Sequence, residues 1–108
     1  MRLANFIDDR ACAQRKFNRG RNLNRNELII EALGHLIEET MEARACVPRR
    51  YWKAEEFDRE EFLREMADVQ IWLANTAGLA GITGKEMEEA IETKLQYNLI
   101  RQDHLHNS

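Results

Sequence analysis

Apolar residues recur along this chain every three or four positions, with polar residues filling the intervals. Ile29, Leu33, Leu36 and Ala43 form one series, Phe62, Met66, Val69 and Leu73 a second, and Met87, Ile91, Leu95 and Leu99 a third. Such steps collect side chains on one face of an α-helix, whereas a half-buried strand would alternate every second residue. Each series follows a helix-start signal in which a capping side chain stands three residues before a glutamate: Asn24 to Glu27, Asp58 to Glu61, and Thr83 to Glu86. The pattern predicts helices over about residues 26–46, 59–77 and 84–103, with Leu36, Ile37 and Met41 among the packing residues of the first. A further helix is predicted near residues 3–17, followed by the linker "NRGRNLN". Val47 to Phe57, which holds the single proline, reads as a loop, and Gly78 to Gly84 as a tight turn.

Four helices on short connections favour antiparallel neighbours, so the expected fold is all-α, an antiparallel helical bundle of about four helices. Residues 1–108 form one domain: a basic N-terminal arm or helix over 1–25, a helical core over 26–103 and a polar tail over 104–108. A composition of 44% hydrophobic and 32% charged residues with only five glycines agrees with that class. A chain of this size buries roughly two thirds of its unfolded surface, which is marginal, and pairing into a homodimer or homotetramer is expected to add the rest.

Charge and cysteine usage narrow the setting. The net charge of −3 conceals seven Lys or Arg against two Asp in residues 1–25, leaving −8 for the remainder. Only Phe6 and Phe17 accompany those cations, and no nucleic-acid-binding pattern is present, so nucleic acid is not the expected partner. The start "MRLANFIDDR" lacks the apolar core of a signal peptide, and no run is long enough to cross a bilayer. Cys12 and Cys46 lack the spacing of a disulfide framework or zinc site and read as reduced thiols of a cytoplasmic protein.

The candidate chemistry lies beside the apolar stripes. Glu38 and Glu42 lie about 40° apart on a helical wheel, with Glu39 about 60° beyond Glu42, so "EETME" projects three carboxylates from one side. "EMAD" repeats the device with Glu65 and Asp68 one turn apart. If the two helices pack antiparallel, Glu39 and Glu42 meet Glu65 and Asp68. Four carboxylates in one cleft raise one another's pKa unless a cation intervenes, and an oxygen-only donor set selects Mg²⁺, with Mn²⁺ as a substitute. Farther along, Lys94, Asn98 and Arg101 fall within about 60° of one another, a face suited to a polyanion carrying a polar ring or sugar.

These motifs resemble a known group. "EETME", then 22 residues, then "EMAD" is similar to the EExxE and ExxD signature of the MazG-type all-α nucleoside triphosphate pyrophosphohydrolases, and "KLQYNLIR" looks like that group's KxxxNxxR element. The superfamily also holds dimeric dUTPases and phosphoribosyl-ATP pyrophosphohydrolase. The resemblance covers roughly residues 27–103. It implies cleavage of a nucleoside triphosphate between the α and β phosphorus atoms, with Mg²⁺ held by Glu39, Glu42, Glu65 and Asp68. It further implies that Glu38 is another ligand or orients the attacking water, that Lys94 and Arg101 hold phosphates, and that Asn98 contacts phosphate or nucleoside. Lys53, in a "YWK" that resembles a Trp-Lys pair of the dUTPase-like branch, is a further substrate-binding candidate. Trp72, near Glu65 and Asp68 on the wheel, is a candidate to stack on a base. His35, one turn before Glu39, is placed to line the same face, whereas His104 and His106 read as solvated tail residues. The competing reading is a non-enzymatic helical dimer that binds a protein or nucleic acid, its acids serving solubility.

Overall fold

The computed structural model describes the backbone of residues 2–107 and the side chains of residues 2–101, so His104 and His106 lie outside the described side chains. Four helices account for the secondary structure: α1 (Leu3–Phe17), α2 (Arg25–Ala45), α3 (Arg59–Leu79) and α4 (Gly84–Asn107). They pack against one another, and no strand occurs among the described residues. The expected helix starts hold to within a residue, because the start signals operate locally, whereas α4 runs to Asn107, four residues past its expected end. Asn24 accepts from the Glu27 amide at 2.9 Å while Glu27 accepts from the Asn24 amide at 3.3 Å, and Thr83 and Glu86 make the same exchange at 3.1 and 3.0 Å. The third box is half-formed: Asp58 accepts from the Glu61 amide, but the Glu61 carboxylate turns to the Arg64 guanidinium instead of reaching back. A charged donor one turn away outcompetes a neutral amide.

The extensive interfaces are α2 with α3, α1 with α3 and α1 with α4. Along α2 and α3, His35 stacks on Trp72, Glu39 feels Asp68, Glu42 meets Glu65 and Cys46 feels Glu61. Residue numbers rise on one helix as they fall on the other, so this pair is antiparallel as expected. Contrary to the simplest bundle, α1 makes its large contact with α3, and the two run the same way: Arg10 donates to the Asn75 amide oxygen at 2.6 Å, and Ala11 abuts Gly78. Small residues permit this. A Cβ on Gly78 would stand 2.6 Å from the Ala11 Cα, so only glycine allows the two backbones to approach so closely. Asn75, 1% exposed, takes its partner from Arg10, which meets the cost of burying an amide.

The ends of α1 and α4 satisfy each other. Asp8 accepts from the Gly84 amide at 2.8 Å and Glu88 from the Ala4 amide at 2.9 Å, so each helix supplies a carboxylate to the positive N-terminus of the other. Gly81, at φ 76°, makes the turn that delivers α4 to this position.

The core is thin. Ile7, Ala74 and Ala77 form its centre, with Phe6, Ile82 and Met87 against them. Several expected packing residues depart from this core, among them Leu33 on α2, Leu73 on α3 and Ile91 on α4, each more than a third exposed. Ile37 and Met41 are 64% and 58% exposed on the outer face of α2, because α3 covers only the side bearing Ala32 and Ala43. On α4, Met87 packs, but Leu95 and Leu99 are exposed. At 1.5 Å per residue, α4 extends about 13 Å farther than α1, and the second half of its stripe runs past its partner. The radius of gyration, 17.4 Å, exceeds the roughly 13 Å of a compact chain of this length.

Candidate functional site

The antiparallel pairing of α2 and α3 brings the two acidic motifs together. Glu39, Glu42 and Glu65 each present a carboxylate oxygen within 4.8 Å of the others. Asp68 stands one turn beyond Glu65 and acts on the Glu39 carboxyl through space. Glu38 is on the solvent side, its side chain 75% exposed, with the His35 imidazole 3.9 Å away. The five acids therefore divide into three that converge, one adjacent and one at the rim.

The electrostatics follow from that geometry. Partial burial, the Glu61 carboxylate one turn away on α3 and the Glu42 carboxylate facing from α2 push the Glu65 carboxyl up to about 7. Glu39 is raised as well, first by burial and then by Glu42 and Asp68. One oxygen of each, Glu39 Oε2 and Glu65 Oε2, is buried without a hydrogen-bond partner. Buried carboxylate oxygens ordinarily find a donor, so these two call for a shared proton, a bridging water or a cation. The donor set is all oxygen, which suits a hard divalent ion.

Sequence reasoning missed Glu61. Assigned to a helix cap, it lies within hydrogen-bonding reach of Glu65, while Arg64 holds its own carboxyl below the usual range. The signal was present in the i, i+4 spacing of Glu61 and Glu65, which places both on one face of α3. Cys46 closes that end, its thiol pushed up by burial and by Glu61, Glu65 and Asp58. It is a protonated neighbour of the acids.

The remaining candidates are not drawn into this cluster within one chain. Trp72 and His35 stack face to face, ring centroids 4.3 Å apart, one turn beyond Asp68 and Glu39. This is a packed aromatic pair at the margin of the acids. Lys53 is on the exposed loop after α2, where its backbone amide donates to the Arg50 carbonyl. Lys94, Asn98 and Arg101 are exposed on α4, with the Lys94 ammonium 5.3 Å from the Tyr97 ring centroid. Among the described residues no ion pair links Lys94 or Arg101 to Glu39, Glu42, Glu65 or Asp68. The reason is architectural: α4 is docked on α1, whereas the acids lie between α2 and α3. No helix among the described residues is long and apolar enough to cross a membrane.

The chain matches no protein-family model, and no curated protein or solved structure matches it at a significant level.

Proposed function

We propose that this chain is a Mg²⁺-dependent nucleoside triphosphate pyrophosphohydrolase of the MazG type, converting a (d)NTP to the (d)NMP and pyrophosphate. The observation that carries the reading is the meeting of Glu39, Glu42 and Glu65 across two helices, with two of their oxygens buried and unpartnered. Clustering like charges costs stability, and a divalent ion shared with a polyphosphate would offset that cost. When bound, Mg²⁺ would neutralise the reacting phosphates and lower the pKa of water. Glu39, Glu42 and Glu65 would hold it, with Asp68 completing the set. Glu38, exposed at the rim, is placed to accept a proton from a water approaching from solvent. Trp72 offers an apolar face beside the acids for a base.

The substrate's charged end needs cations that a single chain does not bring to the acids. We assign that role to the Lys94, Asn98 and Arg101 face of a second subunit. The exposed apolar residues on α4, Leu95 and Leu99, and on α2, Ile37 and Met41, provide surface for such an assembly. Mixing Glu42→Gln chains with Lys94→Ala/Arg101→Ala chains, each silent alone, is then expected to restore about a quarter of wild-type turnover, the statistical share of intact composite sites in a dimer. Mixtures as silent as the parents would remove the intersubunit assignment.

The activity itself is tested by pyrophosphate release over ribo- and deoxynucleoside triphosphates, with Mg²⁺ or with chelator. Turnover of at least one nucleotide, lost on chelation, is expected. Mg²⁺ alone should raise Tm by about 10 °C at a hundredfold excess over its Kd. No release from any nucleotide, together with an unmoved Tm, would leave the non-enzymatic helical dimer as the better reading.

A further inference from the structure

The basic character of the N-terminal arm is not used by the acidic site. Arg15 lies near the start of α2, and from there to Glu39 and Glu42 the helix spans about 20 Å at 1.5 Å per residue. Arg15 instead lines a cleft of about 340 Å³ where α1 ends, α2 begins and α3 ends. Its polar wall is Gln14, Arg15, Asn18 and Arg25, and Leu28 and Leu79 supply an apolar side.

Three features point to an anion. First, neither Arg15 nor Arg25 has a carboxylate within 4.0 Å among the described residues, whereas Arg21 nearby is held by Glu31 at 2.7 Å. The cleft thus keeps two unneutralised guanidiniums beside a pair that is already matched. Second, Gln14 is only 8% exposed, yet its side chain makes a single long hydrogen bond, accepting from the Asn18 amide at 3.4 Å. Its Nε2 has no acceptor among the described residues and is not sealed from the cleft that Gln14 lines, so this donor is open to a ligand there. Third, the negative ends of α1 and α3 converge here but offset only about one unit charge between them, while the N-terminus of α2 adds about half a positive charge. Two guanidiniums therefore leave the cleft net positive.

We infer that this cleft is a binding site for a small phosphorylated molecule, with Arg15 and Arg25 taking the phosphate oxygens, Gln14 donating from the floor, and Leu28 and Leu79 covering an organic portion. Guanidinium forks match phosphate oxygens better than ammonium groups do, and the volume falls within the range of small-ligand sites. The site is separate from the acids and binds without a divalent ion.

The test uses the full chain in chelator at constant ionic strength, with inorganic phosphate, pyrophosphate and a nucleoside monophosphate titrated separately by calorimetry and by thermal shift. At least one is expected to bind and to raise Tm by about 5 °C or more at saturation. The nucleoside monophosphate binding most tightly assigns an organic ligand, and pyrophosphate binding most tightly assigns a free anion. Arg15→Ala/Arg25→Ala is expected to weaken binding at least tenfold while Mg²⁺-dependent hydrolysis persists, and Glu42→Gln is expected to bind the anion as wild type does. Arg15→Gln, at an exposed position that leaves the fold intact, should lose several-fold on its own. A response no larger than that to sodium chloride, or Arg variants that titrate as wild type does, overturns the assignment whatever the outcome at the acidic site.

Discussion

Glu65→Gln is expected to reduce Mg²⁺-dependent pyrophosphate release by about 10²- to 10³-fold or more, and to stabilise the metal-free protein at neutral pH. Loss of a group that merely orients a ligand already lowers metal affinity or activity by about 10- to 100-fold, and Glu65 is proposed to act directly. The opposite effect on stability comes from the same geometry. The Glu65 carboxyl sits at about 7 in the folded protein, raised from 4.5 by burial and by Glu61 and Glu42. Between those values the folded chain keeps a proton that the unfolded chain has released. The associated stability is complete below about pH 4.5, declines as pH rises, and is gone by about pH 7. A Tm profile in chelator should therefore fall across that window, with Glu39 adding a decline in the same direction. Glu65→Gln should flatten it, since glutamine carries no titrating proton and no charge to repel Glu42. Equal profiles for wild type and variant, with unchanged turnover, would show that Glu65 faces no other acid in solution.

Gly84→Ala is expected to cost about 2–3 kcal/mol and to lower Tm by about 10 °C or more, the largest stability effect anticipated from one methyl group in this chain. A Cβ at Gly84 would overlap the carbonyl oxygen and Cα of Ala4, backbone atoms that cannot rotate aside. The α1–α4 contact would have to open, and with it the paired caps Gly84 to Asp8 and Ala4 to Glu88. Gly34→Ala is the control. Nothing lies within 4 Å of a Cβ there, so alanine should add about 0.5–1 kcal/mol through its greater helix propensity. Thermal melts of the two variants with opposite signs would support the close packing of α1 on α4. A Gly84→Ala melt indistinguishable from wild type would contradict it.

Much of this could be read before any coordinates were in hand. The capping signals at Asn24 and Thr83 act within one turn and mark where α2 and α4 begin, and the spacing of "EETME" and "EMAD" put the acids on the margin of packing faces. The antiparallel pairing that would join them was the arrangement that helices on short connections favour, and the structure supplied it. What was missed has a common origin. Ile37, Met41, Leu95 and Leu99 satisfy helical periodicity as well as Leu36 or Met87 does, because amphipathic spacing reports a face and not what covers it. Glu61 could be a cap or a member of the acidic set, and only the position of Arg64 decided how its carboxylate turned.

By itself, then, the sequence determined four helices, their starts and the presence of acidic and basic faces, since each depends on interactions no more than four residues apart. Tertiary structure alone decided that α1 lies beside α3, that the Lys94, Asn98 and Arg101 face stays away from the acids of its own chain, and that Arg15 and Arg25 share a cleft with a buried glutamine. Those outcomes depend on which backbones can approach closely, at Gly78 and Gly84 above all, and such contacts join residues whose separation along the chain no local pattern records.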